Sequence, residues 1–283
     1  MKNQLLQYFF LLALLSTSCG VDQNIDPHQE EWEVLFNGAN MDGWTAKFTG
    51  SPLGENVNDI FIVEDSILKV SYTKQDSFDQ RFGHLFYEKP FSHYKLKATY
   101  RFLGEQLKGG PAWAFRNNGL MLHSQDPSSM ALDQDFPNSL ELQLLGGDGV
   151  NDRPNANLCT PGLHVIMGDS LHQAHCTNSS SATYHGDNWV TVEGLVLGDS
   201  IIQHYLNGEV VLEYSKPIIE SDSEDGQFKE GEAVNEGYIA IQAETHPTQF
   251  KSIELLNLCG CMDKKAKNYK SYFIKSDPKT CEY

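Results

Sequence analysis

The sequence predicts an all-β fold, either a sandwich of two sheets or a barrel. Between residues 31 and 258, nearly every segment is short, β-patterned and bounded by a turn signal. Many short strands joined by Gly-rich turns are typical of these two architectures. No window shows a convincing helical period. With 283 residues, of which 40% are hydrophobic, the chain is long enough for one large domain and a small appendage.

Each predicted strand shows apolar and polar alternation or is bounded by a clear turn. In chain order the strands are 32–36, 59–63, 67–72, 94–102, 118–123, 140–144, 189–197, 201–206, 209–214, 238–243 and 252–258. Asn207-Gly208 joins two of them into the clearest hairpin, because Asn-Gly favours the positive φ angles of a type I′ turn. Residues 221–235 are acidic and contain glycine, so we expect an exposed loop there.

Two strands in the middle of the chain carry the strongest functional signal. Side chains alternate between the faces of a strand, so the leucines at 120, 122, 140, 142 and 144 should share the core face. His123, Glu141 and Gln143 would then lie together on the opposite face. The strand at 238–243 repeats this pattern, with Gln242 and Glu244 on the face away from its isoleucines. Polar strand residues more often simply face solvent, which is the alternative.

The first 19 residues resemble a bacterial export signal. The apolar run is too short to span a bilayer, and three small residues precede Cys19 as in a relaxed lipobox. We therefore expect lipidation of Cys19, with the exported protein anchored to the outer membrane on its periplasmic or outer side. A plain secretory signal cut near the same place is the alternative. Residues 20–30, which are polar, would form a tether.

The other cysteines fit an exported protein, in which disulfides can form. Cys159 and Cys176 flank one loop-rich stretch and could pair. Cys261 and Cys281 bracket a tail, residues 259–283, that resembles a Cys-bounded module found at the ends of many exported bacterial proteins. Cys259 is most simply the residue left over, although sequence alone does not fix the pairing. The net charge of −17 argues against a nucleic-acid partner, which needs a basic surface.

Several short motifs resemble those of the 3-keto-disaccharide hydrolase family, whose members are described as 3-keto-glucoside 1,2-lyase/hydratases. NNGLMLH and LELQ are similar to its Asn-Ser-Gly-Ile and Tyr-Glu-x-Gln motifs, and WEVLFNGANMDGW, FIVEDSILKV, WVTVEGLVLGD, YLNGEVV and GYIAIQAE continue the likeness. The resemblance covers residues 31–258. It implies a concanavalin-like (jelly-roll) β-sandwich of two curved antiparallel sheets, with a concave face open to ligand.

The resemblance also implies a reaction on an oxidised, 3-keto glycoside or disaccharide. A ketone at C3 acidifies the C2 proton, so a base can remove it, the C1 aglycone leaves and water adds back. Such a site needs a base, an acid and stabilisation of the enolate. The expected proton-transfer residues are His123, Glu141 and Glu244, and the expected substrate-binding residues are Arg101, Asn118, Gln143 and Gln242. A divalent metal could stabilise the enolate, but no ligand set in the sequence requires one.

Position 123 departs from the family, in which arginine is commoner. It is therefore open whether His123 binds an oxyanion or moves a proton.

Two other functions fit the same fold. A non-catalytic carbohydrate-binding module would stack sugar rings on tryptophans such as Trp44, Trp113 or Trp189, although most tryptophans pack in cores. A retaining glycosidase would need a second carboxylate close to Glu141, and that strand carries none at i+2 or i+4.

Overall fold

The structure, a computed structural model, describes residues 26–283. The predicted signal sequence, Cys19 and the first part of the tether lie outside the described residues. The described chain is all-β except for short 3₁₀ turns at Val57–Asp59, Ala112–Ala114, Pro127–Ser129 and Pro278–Thr280. In this part of the chain, no helix has the length and apolar character that a membrane crossing requires.

Residues 26–283 contain nineteen strands. They are β1 (Glu33–Val34), β2 (Trp44–Phe48), β3 (Phe61–Glu64), β4 (Ile67–Val70), β5 (Gly83–Tyr87), β6 (His93–Phe102), β7 (Asn117–Ser124), β8 (Leu140–Leu145), β9 (Asn157–Cys159), β10 (Leu163–Met167), β11 (Ser170–His172), β12 (Cys176–Thr177), β13 (Val190–Leu197), β14 (Ile201–Leu206), β15 (Glu209–Ile219), β16 (Tyr238–Ala243), β17 (Thr248–Asn257), β18 (Cys259–Gly260) and β19 (Lys275–Ser276).

Two large antiparallel sheets form the predicted jelly-roll sandwich. The ten-stranded sheet has the order β11-β10-β15-β14-β13-β6-β17-β4-β3, with β1 also pairing with β17. The seven-stranded sheet has the order β12-β9-β8-β7-β16-β5-β2. The core lies between them, where β6 turns every second residue inward and Leu140, Leu142 and Leu144 of β8 are fully buried. Burial of each such leucine contributes roughly 1.5–3 kcal/mol.

The predicted strands are found, but sequence reasoning missed several others. β5, with the sequence GHLFY, is buried on both faces over most of its length, so it shows no polar and apolar alternation. The segments β9 to β12 contain only two to five residues each. Strands that short give no periodic signal. The strands that were not predicted therefore include β9 to β12. They also include β2 and β5, which complete one edge of the seven-stranded sheet.

The C-terminal tail is closed by the Cys261–Cys281 disulfide and contains the small parallel pair β18–β19. It packs against the start of the described chain rather than standing free. Lys270 forms an ion pair with Glu31, and the Ser271 N–H donates to the Pro27 carbonyl at 2.8 Å. The two ends of the described chain are therefore held together.

Residues 30–32 lie on the outer face of the ten-stranded sheet, just before the chain joins that sheet as β1. The Lys97 ammonium lies 4.5 Å from the centre of the Trp32 ring, and Lys95 pairs with Glu30 at 3.0 Å. Both lysines belong to β6, whose alternate residues fill the core, so this segment lies on the side of the sandwich away from the seven-stranded sheet. We call this surface the back face.

Candidate functional site

The outer face of the seven-stranded sheet contains a cleft of about 570 Å³. A cleft of this volume lies within the range that holds small-molecule ligands. Its floor and walls come from strands β7, β8 and β9, the segment after β16, and the loops around them. The lining side chains are Trp113, Asn117, Phe136, Glu141, Gln143, Leu145, Arg153, Cys159, Pro161, His175, Cys176 and Glu244. Among these, Glu141, Gln143 and Glu244 were expected site residues.

Glu141 occupies the floor of the cleft because its neighbours on β8 point into the core. Its carboxylate lies over Gly119 of the adjacent strand, where an added Cβ would come within 2.4 Å of Glu141 Oε1. Glycine at 119 therefore leaves the space that the carboxylate fills. Glu141 is only 5% exposed, and its Oε1 atom has no hydrogen-bond partner among the described residues. Gly119 of the Asn-Gly motif thus allows Glu141 of β8 to occupy the floor of the cleft.

Glu244 follows β16 directly and brings a second carboxylate into the same cleft. It is 4% exposed, and Oε2 lacks a partner within residues 26–283. Arg153 supplies a cation nearby, held by its own hydrogen bonds: Nη1 donates to the carbonyls of Gly146 at 2.8 Å and Arg116 at 3.1 Å. Because its guanidinium is tied to main-chain carbonyls, Arg153 is a fixed charge in the wall of the cleft.

Burial and proximity set the protonation of the two carboxyl groups. Burial raises the pKa of Glu141 to about 8. The pKa of Glu244 is also raised, first by burial and then by the Glu141 charge, while Arg153 opposes the rise. Two carboxyl groups that destabilise each other's charge favour holding one proton between them. Glu141 therefore becomes a proton acceptor as the pH approaches about 8, while its charge keeps Glu244 a proton donor.

The raised pKa predicts a stability change in Glu141→Gln. Between about pH 4.5 and about pH 8 the unfolded chain releases the Glu141 proton while the folded chain retains it, so the wild type loses stability as the pH rises through this window. Glutamine cannot ionise and removes that loss. We expect similar urea unfolding free energies near pH 4 and a more stable variant near pH 8. A difference that does not change with pH would contradict the assignment of a raised pKa to Glu141.

A second layer of polar side chains lies beside the cleft on the same outer face. Gln242 of β16 is opposite His84 of β5, which is opposite Lys47 of β2. Both amide atoms of Gln242 and Nε2 of His84 are buried without partners in the described chain. The pKa of His84 is lowered to about 3 by burial and by the Lys47 charge, so its imidazole is neutral. Gln242, which was an expected site residue, therefore lies on the same face as Glu141. It is fully buried and lies beside the cleft.

The prediction that His123 shares the face of Glu141 is wrong. A β-bulge separates the Met121 and Ser124 pairings with β16, and His123 adopts a φ of +46°. The bulge interrupts the alternation of β7. The imidazole instead lies against Tyr94 of the other sheet, with Nε2 3.0 Å from the Gly198 carbonyl oxygen. Burial lowers the pKa of His123 to about 4, which keeps the ring neutral.

Two further expected binding residues also lie outside the cleft. Arg101 is on the outer surface of the ten-stranded sheet, where Nε and Nη2 donate to Gln249 Oε1 and the guanidinium stacks 4.3 Å from the centre of Trp189. Asn118 is fully buried on the inner side, and Nδ2 donates to the Gln242 carbonyl at 2.7 Å. Asn118 therefore ties β7 to β16 and positions the site instead of contacting a ligand.

Sequence reasoning missed Arg153, Asn117, His84 and Phe136. Arg153 and Phe136 lie in loops, where strand alternation gives no information. Asn117 was visible in principle, because it has the same parity as Gly119 and therefore as the face of Glu141. It lines the cleft, and its Oδ1 atom has no partner within the described part of the chain. Gln143, which was expected, accepts a hydrogen bond from Asn157 at 3.2 Å.

The Cys159–Cys176 disulfide forms part of the cleft wall and joins β9 to β12. Cys159 is directly opposite Glu141 in the sheet register. Both predicted disulfides are thus present, and Cys259 forms none within residues 26–283. Over the same residues, no three His, Cys, Asp or Glu side chains are grouped closely enough to hold a metal ion. The chemistry available in the cleft is that of two buried carboxyl groups, one fixed cation, the imidazole of His175 and several amides.

The fold is similar to solved structures of low sequence identity. A proposed glycosyl hydrolase from Parabacteroides distasonis is 15% identical, with a TM-score of 0.49 over 80% of this chain and 99% of that chain. A Bacillus subtilis protein of unknown function with a galectin-like fold is 12% identical, with a TM-score of 0.49 over 81% and 98%. The Bacillus subtilis carbohydrate-binding module CBM66 is 9% identical, with a TM-score of 0.37 over 64% and 89%.

A search of curated proteins finds no match to this chain. The family model described as a 3-keto-alpha-glucoside-1,2-lyase-like domain matches residues 31–256. This range includes both large sheets, apart from the last residue of β17, and all the side chains that line the cleft. The chain therefore belongs to the 3-keto-alpha-glucoside-1,2-lyase-like family.

Proposed function

We propose that this protein cleaves 3-keto glycosides by elimination and rehydration in the cleft on the seven-stranded sheet. The observation that supports this most is the pair of buried carboxyl groups, Glu141 and Glu244, whose raised pKa values favour one shared proton. Elimination needs a base at C2 and an acid at the glycosidic oxygen in the same site. The pair provides both without a histidine, which replaces the role that the sequence suggested for His123.

In the proposed first step Glu141 removes the C2 proton in its charged form, which it reaches as the pH approaches its pKa of about 8. The C2–H electrons form the enolate of the C3 ketone. As the ketone reforms, the C1–O bond breaks, a C1=C2 double bond forms, and protonated Glu244 gives its proton to the departing oxygen. The assignment follows from the two pKa values: Glu141 ionises near pH 8, and its charge then raises the pKa of Glu244 and keeps that group protonated.

Hydration reverses these roles. Glu244, now charged, takes a proton from water as the oxygen adds to C1, and Glu141 returns a proton to C2. The products are a free 3-keto sugar and the aglycone alcohol, and the pair regains its starting protonation. Each carboxyl group therefore acts once as acid and once as base, as the symmetry of elimination and addition requires.

Other side chains of the cleft bind and orient the substrate in this proposal. Asn117 and Gln143 present amides on the floor beside Glu141. Arg153 supplies positive charge that partly offsets the enolate in a buried setting, where electrostatic stabilisation is strongest. Gln242 and His84, buried beside the cleft on the same face, support the orientation of this layer. Export with a lipid at Cys19 is part of the same proposal, because the sequence before residue 20 has the required pattern.

The elimination step predicts isotope incorporation. Incubating a 3-keto glycoside with the protein in deuterated water should place deuterium at C2 of the released 3-keto sugar, because the proton that Glu141 takes from C2 exchanges with solvent before Glu141 protonates C2 again. The measurement is mass spectrometry or NMR of the product, with a reaction without enzyme to subtract spontaneous enolisation.

Two results would contradict parts of this proposal. Enzyme-dependent release without deuterium above background would replace elimination by displacement at C1, as in an ordinary glycosidase. Saturable binding of glycans without release from any 3-keto glycoside, with or without added divalent metals, would show a carbohydrate-binding module instead. The unoxidised parent glycoside is the matched substrate control, since its C2 proton is not acidified.

A further inference from the structure

One wall of the cleft is aromatic, whereas its floor is polar. Trp113 and Phe136 line this wall, and Phe82 lies behind both, with ring-centre distances of 5.8 Å to Trp113 and 4.9 Å to Phe136. Trp113 is 52% exposed, although a ring of this size is normally well covered. The exposed ring is therefore part of a continuous aromatic surface that opens into the cleft.

The main chain of Trp113 is held in place by residues of the site. The main-chain carbonyl oxygen of Trp113 accepts hydrogen bonds from Arg153 Nη2 at 3.2 Å and from Asn117 Nδ2 at 3.4 Å. Both donors line the same cleft as Glu141 and Glu244. Trp113 also lies in a 3₁₀ turn that leads directly into β7. A large aromatic ring that is exposed, packs on Phe82 and has its main chain fixed relative to the reacting groups is suited to bind a ligand.

The two surfaces favour different parts of a glycoside. The reacting ring needs hydrogen bonds and proton transfer, which the floor supplies through its carboxyl groups and amides. The departing group needs only apolar contact, and the C–H face of a second ring packs well on an aromatic side chain. Of the aromatic side chains on this wall, Trp113 presents the most surface.

We infer that Trp113, with Phe136, forms a binding site for a ring-shaped aglycone. The inference rests on the proposed function and defines its substrate class: glycosides whose leaving group is a second sugar ring or an aromatic ring, in preference to small alkyl glycosides. Trp113 acts in substrate selection and not in proton transfer, because it carries no group that titrates in this range.

The test compares three 3-keto glucosides, with a second glucose, a phenyl group or a methyl group as the aglycone. Trp113→Ala should lower kcat/KM about tenfold for the first two and change it less than about twofold for the methyl glucoside, in keeping with the size of aromatic stacking contributions. Trp113→Phe should retain most of the activity. Trp189→Ala, which removes a tryptophan that stacks on Arg101 of the other sheet, is the matched control and should leave all three rates unchanged.

Equal losses on all three substrates, or no loss on any, would overturn the inference. If the wild type releases product from none of them, the proposed function fails, and calorimetric binding of the same compounds then decides the aglycone site. Weaker binding by Trp113→Ala of the disaccharide and the phenyl glucoside, but not of the methyl glucoside, would still support it. Weakening shared by the methyl glucoside would reject it.

Discussion

Glu141→Gln is expected to lower kcat for 3-keto glycosides by about two to four orders of magnitude while the protein stays folded. Glutamine has nearly the same shape and fits the space over Gly119, but it cannot accept the C2 proton. The measurement is release of the aglycone under saturating substrate, together with a circular dichroism spectrum to verify the fold.

Two variants sharpen this test. Glu254→Gln makes the same chemical change on β17 of the ten-stranded sheet and should leave turnover unchanged. The double variant Glu141→Gln with Glu244→Gln should be only slightly slower than either single variant, because residues that act as a unit are not additive. Multiplicative losses would show that the two carboxyl groups act independently. Full activity in Glu141→Gln would remove the carboxyl pair from the mechanism.

Leu142→Asp is expected to prevent folding. Leu142 is adjacent to Glu141 in sequence but faces the opposite way, and its side chain is fully buried between the sheets. An unpaired carboxylate in that position has no hydrogen-bond partner to offset the loss of water. We expect little soluble protein and no cooperative thermal transition in the fraction that remains.

The control is Leu142→Met, which keeps volume and apolar character and should cost less than about 1.5 kcal/mol. The comparison tests the face assignment of β8 directly. Soluble, active Leu142→Asp protein beside aggregated Glu141→Gln protein would mean that the polar residues of this strand face the core and the leucines face the cleft.

Alternation predicted the site only where a strand is regular. β8 has no bulge, so the placement of Glu141 and Gln143 opposite the leucines follows from the sequence. β7 is regular up to Met121, and then a bulge turns His123 towards the other sheet. The bulge arises in the pairing of β7 with β16, a strand more than a hundred residues away in the sequence. No local sequence pattern predicts it.

The cation of the site illustrates a second limit. Arg101 was expected from the family resemblance, but β6 has the parity that turns it to the outer face of the other sheet. Arg153 reaches the cleft from a loop, and its position depends on hydrogen bonds to the carbonyls of residues 113, 116 and 146. The position of Arg153 therefore depends on the assembled fold. The placement of the core leucines depends mainly on the two-residue period of a strand, which is visible in the sequence.

The packing of residues 30–32 on the back face has a consequence for attachment. A protein held to any surface by the segment before residue 27 would be held on the side opposite its cleft. The two sheets of a sandwich pack about 10 Å apart, so at least this thickness of folded protein separates the attachment point from the cleft. The folded domain would itself act as the spacer, and a dissolved glycoside would reach the cleft from the open side even if the tether were short.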